Sequence, residues 1–582
     1  MKKLLLISFL IFIFKILQSQ IPANYLTDFS KSGLYSEINN EHNIINIIDF
    51  GALPDDNLDD NTAFIEALNY LSETGGTLIF PAGIFNFTQS FQIPSNISIL
   101  GESCDETILS FNNAGNGNLI NIYGTQNNNC IHVTQAIKNT NFLICNQSSE
   151  FQEGNIIKLK MDGNDYMFSD WATSDMGQIL IITEIKEDTI FLDNFIRHNF
   201  YVDKNACITK INPATNIKIS NLKILRIDQT NYQTSNINLS NAFNCEISAI
   251  ESEKCNFAHV SISNSKNIKI SGSYFHHAFA YGEGGQGYGT EIEASSSDCL
   301  IENNIFNNLR HSILLQSGAN GNVIAYNYSI NPYWQQGLLP SGSAGDLVLH
   351  GNYPYCNLFE GNIAQNAVID DSHGKNGPYN VFYRNRLEKY GIVMNFNPPT
   401  DSTVFVGNEI TNTQWLLGNF TIMGNGNFLH GNNVKGNCNP ANTTNISTSS
   451  YFLSSSPCYF DNLQWPAIGY PNALNQFSIP AKNRFSYSDY CFVECENIPS
   501  FISNHSSQDV YKILQADNHS FNIHPDCINC QISIYDVYGR KIMSQYSENS
   551  TIKVDLLNNS LYLIKIITNT NKSFVNKIMI TR

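Results

Sequence analysis

Positive charge is scarce in this sequence. Its 582 residues include 33 Lys and Arg against 50 Asp and Glu, which gives a formal net charge of −17. Nucleic acid and anionic membrane surfaces are therefore poor candidates for a partner. Long apolar runs are also missing after the N-terminus, so no later segment reaches the length of a transmembrane helix.

Several catalytic signatures are absent as well. The sequence has no Gly-x-Ser-x-Gly elbow and no His-Glu-x-x-His pair, the patterns typical of α/β-hydrolases and zinc proteases. The glycine-rich run that begins at Gly282 does not stand between a strand and a helix, as a dinucleotide-binding loop would. These absences disfavour nucleotide-dependent and zinc-protease functions.

The N-terminus has the pattern of an export signal. Met1, Lys2 and Lys3 precede an apolar run from Leu4 to Leu17, and Gln-Ser-Gln follows. This pattern is typical of a secretory signal peptide, which we place at residues 1–19. We therefore expect the mature protein to be exported.

Cysteine usage fits an oxidising compartment. Three pairs each close a short loop and are predicted disulfides, namely Cys438 with Cys458, Cys491 with Cys495, and Cys527 with Cys530. Most of the eight scattered cysteines are expected to be buried small hydrophobic residues; these are Cys104, Cys130, Cys145, Cys207, Cys245, Cys255, Cys299 and Cys356.

One short phrase recurs nine times between Asn216 and Val434. It begins with a polar residue, continues with apolar-biased positions, and usually has Asn or Gly at its sixth position, as in Asn-Val-Ile-Ala-Tyr-Asn from Asn322. Successive copies are about 23 to 35 residues apart, which is a solenoid period. Short β-branched runs with Gly and Asn between them, and no helical spacing, predict one coil of a parallel β-helix per copy.

The sixth-position Asn residues are expected to be structural. Stacked coils lie about 4.8 Å apart, so equivalent positions form ladders along the axis. Each Asn would then lie at a turn and hydrogen-bond to its neighbours in the coils above and below.

The segment before the repeat predicts a cap for the first coil. Asp59 or Asp60 would cap a helix whose Ala63, Phe64, Ala67 and Leu68 face one side; the next run, Gly-Gly-Thr-Leu-Ile-Phe-Pro from Gly75, would be an edge strand. Together these elements would cover an edge that otherwise aggregates.

Residues 48–101 closely resemble the start of the pectate-lyase superfamily, and the coils to about residue 436 resemble it more loosely. The superfamily consists of right-handed β-helix proteins and includes polygalacturonase-like enzymes, lyases and phage tailspikes. The resemblance implies this fold and a carbohydrate substrate, but it does not name a reaction.

The C-terminal end reads as alternating strands with polar turns, for example Ile532–Arg540 and Leu561–Ile566. This pattern predicts a small antiparallel sandwich. It is similar to the C-terminal sorting domain of type IX secretion in Bacteroidetes, although Ser560-Leu561-Tyr562 replaces the usual Gly-x-Tyr. The resemblance implies the type IX machinery as a partner, and an ordinary accessory sandwich is the alternative.

Aligning the coils on the repeated phrase places polar residues in one column. His350 and His373 each stand seven positions before their phrase, and the other members agree within one residue. Imidazoles and carboxamides are unusual along a solenoid strand unless a ligand binds there. The predicted column consists of Glu291, Gln316, His350, His373 and Asn395.

Two loops lengthen the coils beside this column. One contains Tyr281 and Tyr288, and the other begins at Tyr333 and Trp334. Aromatic faces cover sugar rings and glycine permits close approach. We therefore predict that these loops form the walls of a sugar-binding groove.

The densest polar phrases lie near residues 309–312, 346–353 and 370–375. Between Arg310 and Arg386, four cations balance four acids, so this stretch suits an acidic sugar better than the rest of the chain. The predicted substrate contacts are Gln316, His311, Tyr281, Tyr288, Trp334, Tyr353, Lys375, Asn395 and Arg384.

These residue types suit β-elimination of a uronate. A lyase must neutralise the carboxylate, remove the adjacent proton and stabilise the resulting charge. We predict His350 or His373 as the base, with Arg310 and Gln316 on the substrate carboxylate.

The carboxyl groups allow two further interpretations. Asp370 or Asp371 would orient a histidine or hold Ca²⁺, so the cofactor is either none or Ca²⁺. As strand neighbours they would point to opposite faces, which makes them a poor hydrolase pair. Glu291 and Glu293 share a face at about 6.6 Å along the strand, which permits an inverting pair at about 6.5 to 9.5 Å.

Together these features predict an exported all-β protein with a right-handed parallel β-helix, an N-terminal capping helix and a C-terminal β-sandwich. The expected boundaries are 20–440 for the β-helix with a β insertion at about 120–211, 441–500 for a tail and linker, and 501–582 for the sorting domain. A lyase acting on an acidic polysaccharide is the main hypothesis. An inverting glycoside hydrolase and a non-catalytic glycan-binding or adhesin solenoid are the alternatives.

Overall fold

The computed structural model describes residues 21–40, 42–282, 285–333, 344–395, 398–443, 445–469 and 477–492, and the strands between residues 511 and 580. The chain forms two compact units, Met1–Glu496 and Asn497–Arg582. Among the described residues, no helix has both the length and the apolar character needed to cross a membrane.

The first unit is a parallel β-helix with three faces, as predicted. Each full coil contributes one strand to each of three parallel sheets, called here sheets 1, 2 and 3. Two long strands, Ile363–Ile369 and Arg386–Met394, run through sheets 2 and 3 and join them. The repeated sequence phrase forms the strand of sheet 1.

The strand bounds follow the chain order within each sheet. Sheet 1 contains Ile44–Asn46, Gly76–Phe80, Ile97–Gly101, Ala214–Thr215, Lys218–Ser220, Ala242–Ser248, Lys266–Ser271, Leu300–Glu302, Val323–Ala325, Leu358–Glu360, Val381–Tyr383, Val404–Val406 and Phe428–His430. Sheet 2 contains Gly83–Phe87, Thr107–Phe111, Lys223–Arg226, Glu251–Glu253, Tyr274–His276, Ile305–Asn307, Tyr328–Ile330, the two joining strands, Glu409–Ile410, Asn432–Val434 and the antiparallel Asn437–Asn439. Sheet 3 contains Phe91–Gln92, Ile120–Tyr123, Ile237–Ser240, Ala258–Ser263, Tyr288–Glu293, His311–Leu315, Gly345–Leu349, the joining strands and Asn419–Thr421.

The N-terminal cap is a helix, Asn61–Ser72, that buries Ala63, Phe64, Ala67 and Leu68 as predicted. Asp60 occupies the N-cap position, but its carboxylate accepts hydrogen bonds from the backbone of two other segments instead. The strand Gly76–Phe80 is not the edge of its sheet, because Ile44–Asn46 pairs outside it.

Buried asparagines form a ladder that includes the predicted sixth-position residues from Asn327 onward, but the copy from Asp298 contributes its seventh residue, Asn304, instead of Asn303, which bonds to Arg484. Asn304, Asn327, Asn362, Asn385, Asn408 and Asn432 stand in successive coils, and each side-chain N–H₂ donates to the oxygen of the next at 2.8 to 3.1 Å. The same oxygen also accepts from the backbone N–H of the previous member. The ladder therefore satisfies buried turn groups that have no strand partner.

One rung of this ladder gives a stability prediction. Asn385→Ala removes the side-chain acceptor of the Asn362 backbone and side-chain N–H groups and the side-chain donor to the Phe359 carbonyl, whereas the Asn408 oxygen keeps the Asn385 backbone N–H. We therefore expect the free energy of unfolding to fall by about 2 kcal/mol. Urea unfolding followed by circular dichroism measures it. The control is Asn212→Ala, which breaks an exposed Asn–Asn bond to Asn127 and should change the stability by under about 0.5 kcal/mol.

A β-rich insertion interrupts the coils between Tyr123 and Ala214. Its antiparallel strands are Thr125–Gln126, Ile131–His132, Phe142–Ile144, Ile156–Lys160, Gly177–Lys186, Thr189–Leu192 and Cys207–Asn212. It has its own apolar core, which also contacts Tyr355 and Cys356 of the coils.

Buried ion pairs fasten the insertion to the coils. Asp298 accepts from Arg197 of the insertion and from Lys266, and all three side chains are at most 1% exposed. Lys266 also lies 3.1 Å from Asp193 of the insertion. Removing one partner would leave an uncompensated buried charge, so these pairs fix the position of the insertion.

The disulfides differ from the prediction. Cys104 is bonded to Cys491, so Cys491 does not pair with Cys495. Cys438 is a free thiol and therefore does not pair with Cys458, which is disulfide-bonded. Loop length proved a poor guide, because the Cys104–Cys491 bond spans 387 residues and joins the C-terminal tail of the unit to an early coil.

A second disulfide closes the insertion. It joins Cys130 to Cys207, so these two, like Cys104, are not the single buried residues that the sequence suggested. Five other cysteines are free and buried as predicted; they are Cys145, Cys245, Cys255, Cys299 and Cys356. Cys495, Cys527 and Cys530 lie outside the described residues, as does the predicted signal peptide.

A short helix, Pro480–Tyr487, lies near the end of the first unit. The second unit has two antiparallel sheets. One contains Tyr511–Asp517, Ser520–Pro525 and Ile552–Asp555, and the other contains Gln531–Tyr535, Lys541–Tyr546, Ser560–Ile567 and Ser573–Ile580.

Candidate active site

A groove of about 740 Å³ runs over the outer face of sheet 3. Its described lining consists of Asn118, Trp171, Gln233, Ser235, Asn238, Phe257, Ser261, Gly285, Tyr288, Glu291, Glu293, Arg310, Gln316, His350, Ser372 and His373. The groove thus contains most of the predicted column, at the carboxyl ends of the sheet 3 strands.

The register of sheet 3 corrects that column. Ile292, Leu315, Leu349, Ile369 and Met394 pair in sequence across neighbouring strands. The residues that follow them therefore form the actual row, which is Glu293, Gln316, His350, Asp370 and Asn395.

Two members of the predicted column are displaced from this row. His373 lies three residues beyond Asp370, because the turn from Ile369 to Asn380 is three residues longer than the turn from Leu349 to Asn357. The sequence alignment counted residues backward from the repeated phrase, so the three extra turn residues moved His373, instead of Asp370, into the predicted column. Glu291 lies two residues before Glu293 on the same strand face.

The two glutamates form a carboxyl pair. Gln316 Nε2 donates to Glu291 Oε1 at 2.8 Å and to Glu293 Oε2 at 3.1 Å. Two oxygens that each lie about 3 Å from one nitrogen cannot be more than about 6 Å apart, and the two carboxyl groups hydrogen-bond to each other. This leaves no space for a sugar carbon and a water between them, so the geometry does not support the inverting pair.

The pair retains a proton at neutral pH. Burial, followed by the charge of Glu293, raises the pKa of Glu291 well above its ordinary value. Burial, followed by the charge of Asp175, raises the pKa of Glu293 to about 7. Glu293 is the more exposed of the two, so it is the better placed to give a proton to a ligand in the groove.

His350 and Asp370 form a hydrogen-bonded dyad. His350 Nδ1 contacts Asp370 Oδ2, and Asp370 Oδ1 accepts from Ser372 N at 2.6 Å. Burial alone would raise the pKa of Asp370, but the His350 hydrogen bond and charge, together with Ser372, lower it to about 2. Asp370 therefore stays ionised and holds Nδ1 protonated, which leaves Nε2 of this groove-lining imidazole to accept a proton.

His373 lies beside the dyad. Its ring centroid is 4.9 Å from that of His350, edge to face, and its Nδ1 lies 3.1 Å from Ser169 Oγ of the insertion. Burial, followed by the charge of His350, lowers the pKa of His373. A neutral His373 contributes shape and a hydrogen bond rather than charge.

The remaining aromatic and cationic groups surround the dyad. Arg310 lines the groove and donates to the Gly282 carbonyl. Tyr288 also lines the groove, and burial raises its pKa to about 12. His311 is fully buried beneath them, with its ring centroid 5.5 Å from that of His350, so it supports the site rather than lining it.

The two predicted wall loops meet each other. Tyr281 stacks on Tyr333 with ring centroids 3.9 Å apart, and Tyr281 is not among the described lining residues. Trp334 lies outside the described residues. Of the three described tyrosines predicted for these walls, Tyr288 therefore lines the groove, and Tyr281 and Tyr333 contact each other.

Three predicted substrate contacts have other partners. Tyr353 packs against Tyr166 of the insertion, and Lys375 pairs with Asp401 at 2.5 Å. Arg384 is buried and its guanidinium donates to the carbonyls of Ile446, Thr448, Ile468 and Gly469. These positions looked available in the sequence because their partners come from the insertion, another coil and the C-terminal tail.

Asp370 and Asp371 lie in the turn after the strand, rather than on it. Asp371 Oδ1 accepts from Asn395 Nδ2 at 3.1 Å, so these two residues lie beside the dyad, outside the described lining. Both oxygens of Asp370 are engaged by His350 and Ser372. This donor set does not fit Ca²⁺, which needs six to eight oxygen ligands.

Elsewhere in the described residues, Glu251, Glu253 and His276 could converge on a metal ion on sheet 2. Lys223 lies 2.7 Å from both carboxylates, and His276 Nε2 lies 3.0 Å from Glu251. This cluster is an ion-pair network on a different face of the β-helix.

Residues 44–179 match the family described as rhamnogalacturonase A/epimerase, pectate lyase-like. Residues 517–581 match the secretion system C-terminal sorting domain. The chain carries a pectate lyase-like domain. Both resemblances seen in the sequence are thereby confirmed, and the sorting domain marks an exported protein of Bacteroidetes type, at the cell surface or outside the cell.

Solved structures similar to this chain include phage tailspikes. Tailspike gp61 of Pseudomonas phage phi297 matches with 10% identity over 68% of this chain and 75% of its own, at a TM-score of 0.51. Tailspike gp49 of Pseudomonas phage LKA1 matches with 12% identity over 63% of this chain, at a TM-score of 0.49, and the match spans less than two thirds (64%) of the tailspike chain. The likeness to gp61 supports the fold alone. No curated protein matches the sequence.

Several lining residues of the groove were not predicted. Trp171 comes from the insertion, and Asn118, Gln233 and Asn238 come from earlier coils. The insertion has no copy of the repeated phrase, so coil alignment could not place it. The available signal was a tryptophan within a polar stretch of the insertion, Ser169-Asp170-Trp171-Ala172-Thr173.

Proposed function

We propose that this protein is a polysaccharide lyase that cleaves a uronate-containing glycan by β-elimination. The observation that supports this proposal is the His350–Asp370 dyad, which opens on the same groove as a proton-retaining glutamate pair. Two groups whose environments favour opposite protonation states provide the base and the acid of one reaction.

In this proposal His350 is the general base. Its Nε2 takes the proton from the carbon that bears the uronate carboxylate, and Asp370 stabilises the imidazolium that forms. The released electron pair forms a carbon–carbon double bond with the neighbouring ring carbon. The bond from that carbon to the glycosidic oxygen breaks at the same time.

Glu293 is the general acid. Its raised pKa keeps it protonated up to about pH 7, and its proton goes to the departing glycosidic oxygen, which becomes a hydroxyl. Glu293 and His350 stand two strands apart in one row, about 10 Å between backbones, with Gln316 between them. Solvent then returns a proton to Glu293 and removes one from His350.

The substrate carboxylate needs positive or hydrogen-bonding partners. Among the described lining residues, Arg310 is the one Lys or Arg side chain. The protonated glutamate pair can also donate hydrogen bonds to the carboxylate. Gln316, which was expected to bind the carboxylate directly, holds the glutamates with its N–H₂ group. Its role in the proposal is therefore to position Glu293.

The test compares products. The full-length protein is incubated with polygalacturonate, alginate, hyaluronan and dextran, and both the ultraviolet absorbance of unsaturated uronate and new reducing ends are measured. A lyase produces one unsaturated end for each reducing end, on a uronate polymer only. Reducing ends without absorbance would instead favour hydrolysis, and silence in both channels would favour the non-catalytic glycan-binding solenoid.

Metal removal gives a further prediction. Because both Asp370 oxygens are engaged by protein groups, we expect a chelator to leave the rate of product formation unchanged. The measurement repeats the absorbance assay after dialysis against EDTA, with CaCl₂ added back as the control. A rate that falls and is restored by Ca²⁺ would contradict the assignment of Asp370 to orienting His350.

A further inference from the structure

The turn from Met167 to Ala172 of the insertion presents two aromatic side chains outward. Met167 and Ala172 are buried in the core of the insertion, whereas Phe168 is 71% and Trp171 53% exposed. An exposed aromatic ring gains free energy when an apolar ligand face covers it. Of the two, Trp171 lines the groove.

Hydrogen bonds from the coils hold this turn in place. The buried Asn352 accepts from Phe168 N at 2.9 Å and from Ser169 N at 3.0 Å, and its N–H₂ group donates to Ser169 Oγ at 3.1 Å. Phe168 also packs against Gly374, where a Cβ would approach it to 2.5 Å. The aromatic turn is therefore part of a rigid frame rather than a free loop.

The frame joins the turn to the dyad. Ser169 Oγ lies 3.1 Å from His373 Nδ1, and the Trp171 ring centroid is 5.9 Å from that of His373. His373 in turn contacts the ring of His350. Trp171 thus lies near the proposed base His350, on the side of the later coils and away from Glu293.

Among the described lining residues, no Lys or Arg lies on the Trp171 side of the groove. Arg310 is the one Lys or Arg in the described groove lining. It lies before the amino end of the strand His311–Leu315 and donates to the Gly282 carbonyl, whereas His350 and His373 lie beyond the carboxyl ends of their strands. Lys375, which follows His373 in sequence, is paired with Asp401. A uronate over Trp171 would lose hydration without a charged partner, whereas an uncharged ring would not.

We propose that Trp171 forms a subsite for an uncharged sugar ring, adjacent to the uronate whose proton faces His350. This rests on the proposed function for the position of the uronate. The C–H face of the ring stacks on the indole, as apolar faces do on aromatic side chains. The substrate class is therefore a heteroglycan in which a neutral sugar follows the uronate, rather than a homopolymer of uronate.

Binding to a catalytically disabled chain tests this subsite without requiring turnover. In full-length protein bearing His350→Ala, titration calorimetry measures the affinity for hyaluronan, in which uronate and neutral sugar alternate, and for polygalacturonate and dextran. We expect hyaluronan to bind best of the three. Adding Trp171→Ala weakens that binding at least tenfold, whereas Trp171→Phe retains most of it.

Phe168→Ala is the matched control, because it removes an exposed aromatic ring from the same turn outside the groove lining. It should leave affinity unchanged. Equal loss from both variants, no loss from Trp171→Ala, or binding of none of the three polymers would overturn the subsite.

The outcome is separable from that of the proposed lyase reaction. If hyaluronan binds through Trp171 but no unsaturated product forms, the subsite stands and the lyase does not. In the active chain, Trp171→Ala should raise KM with little change in kcat, since it removes ground-state and transition-state binding equally. A fall in kcat alone would point to disturbance of His373 and would contradict a binding role.

Discussion

His350→Ala lowers kcat by about 10³-fold or more on the uronate glycan that the wild-type chain cleaves. The reason is that Nε2 is the base, and general base catalysis contributes about 10² to 10⁴ in rate. Its removal leaves binding by Trp171, Arg310 and the glutamate pair in place, so KM should change little. The absorbance assay with purified full-length protein measures both constants.

The matched control is His132→Ala, because His132 is an exposed histidine at the edge of the insertion. We expect its kinetics to equal those of the wild type. His350→Ala leaves the buried Asp370 carboxylate without its imidazole partner, so thermal unfolding must show that the variant is folded. Full turnover by a folded variant would remove His350 from the mechanism.

Asp370→Asn separates orientation from chemistry. The amide keeps the shape of the side chain but can no longer hold an imidazolium, and its N–H₂ group can force the wrong His350 tautomer. We expect at least a 10²-fold loss in kcat, with unchanged affinity. If Asp370→Asn were as active as the wild type, the dyad would be a structural contact only.

The repeat in the sequence predicted the β-helix because its physical basis is local. Successive coils bury apolar side chains at equivalent positions, and the stacked phenylalanines Phe359, Phe382 and Phe405 show the result, with ring centroids 4.6 and 5.4 Å apart. The Asn ladder followed from the same repetition. Structural features that recur in each coil, such as buried apolar positions and turn asparagines, can therefore be predicted from the sequence of a single repeat.

The site could be predicted only in part, because it depends on turn lengths and on a distant insertion. The sequence brought His350, Gln316 and Arg310 to one face, and it offered Asp370 as a group that orients a histidine. The sequence alignment placed His373 in the same row as His350, because the sequence does not show that the turn before Asn380 is three residues longer than the turn before Asn357. Trp171 could not be placed, because its position depends on hydrogen bonds to Asn352, 181 residues away.

The disulfides show the same limitation. Cys104 and Cys491 are paired because the tail of the first unit returns along sheet 2, where Phe492 N donates to the Gly272 carbonyl. Nothing local to either cysteine encodes that return. Sequence spacing therefore favoured the short-range pair with Cys495, which the structure excludes.

Glu293→Gln lowers kcat by about 10²-fold or more and removes the alkaline fall of the wild-type rate. In the wild-type chain, Glu293 must be protonated to serve as the acid, and its pKa is raised to about 7. The rate should therefore decline as pH rises above about 7. Gln cannot transfer a proton, so the residual rate has no such decline, and rates measured from pH 5 to 9 test this.

The matched control is Glu253→Gln, because Glu253 is on sheet 2 and outside the described groove lining. Its pH profile should match that of the wild type. If Glu293→Gln kept the alkaline decline, a group other than Glu293 would be responsible for it.

The same substitution should change how stability depends on pH. The pKa of Glu293 is above the 4.5 of an unfolded glutamate, so the folded chain binds this proton more tightly than the unfolded chain does. Its stabilising contribution is complete below about pH 4.5 and is lost as the pH rises through about 7. Glu293→Gln abolishes this loss, so urea unfolding should show a smaller decrease in stability between pH 5 and 8 than in the wild type. A pair that shares a proton thus costs stability at the pH where it is catalytically useful, which is expected of an acid held in place for reaction rather than for folding.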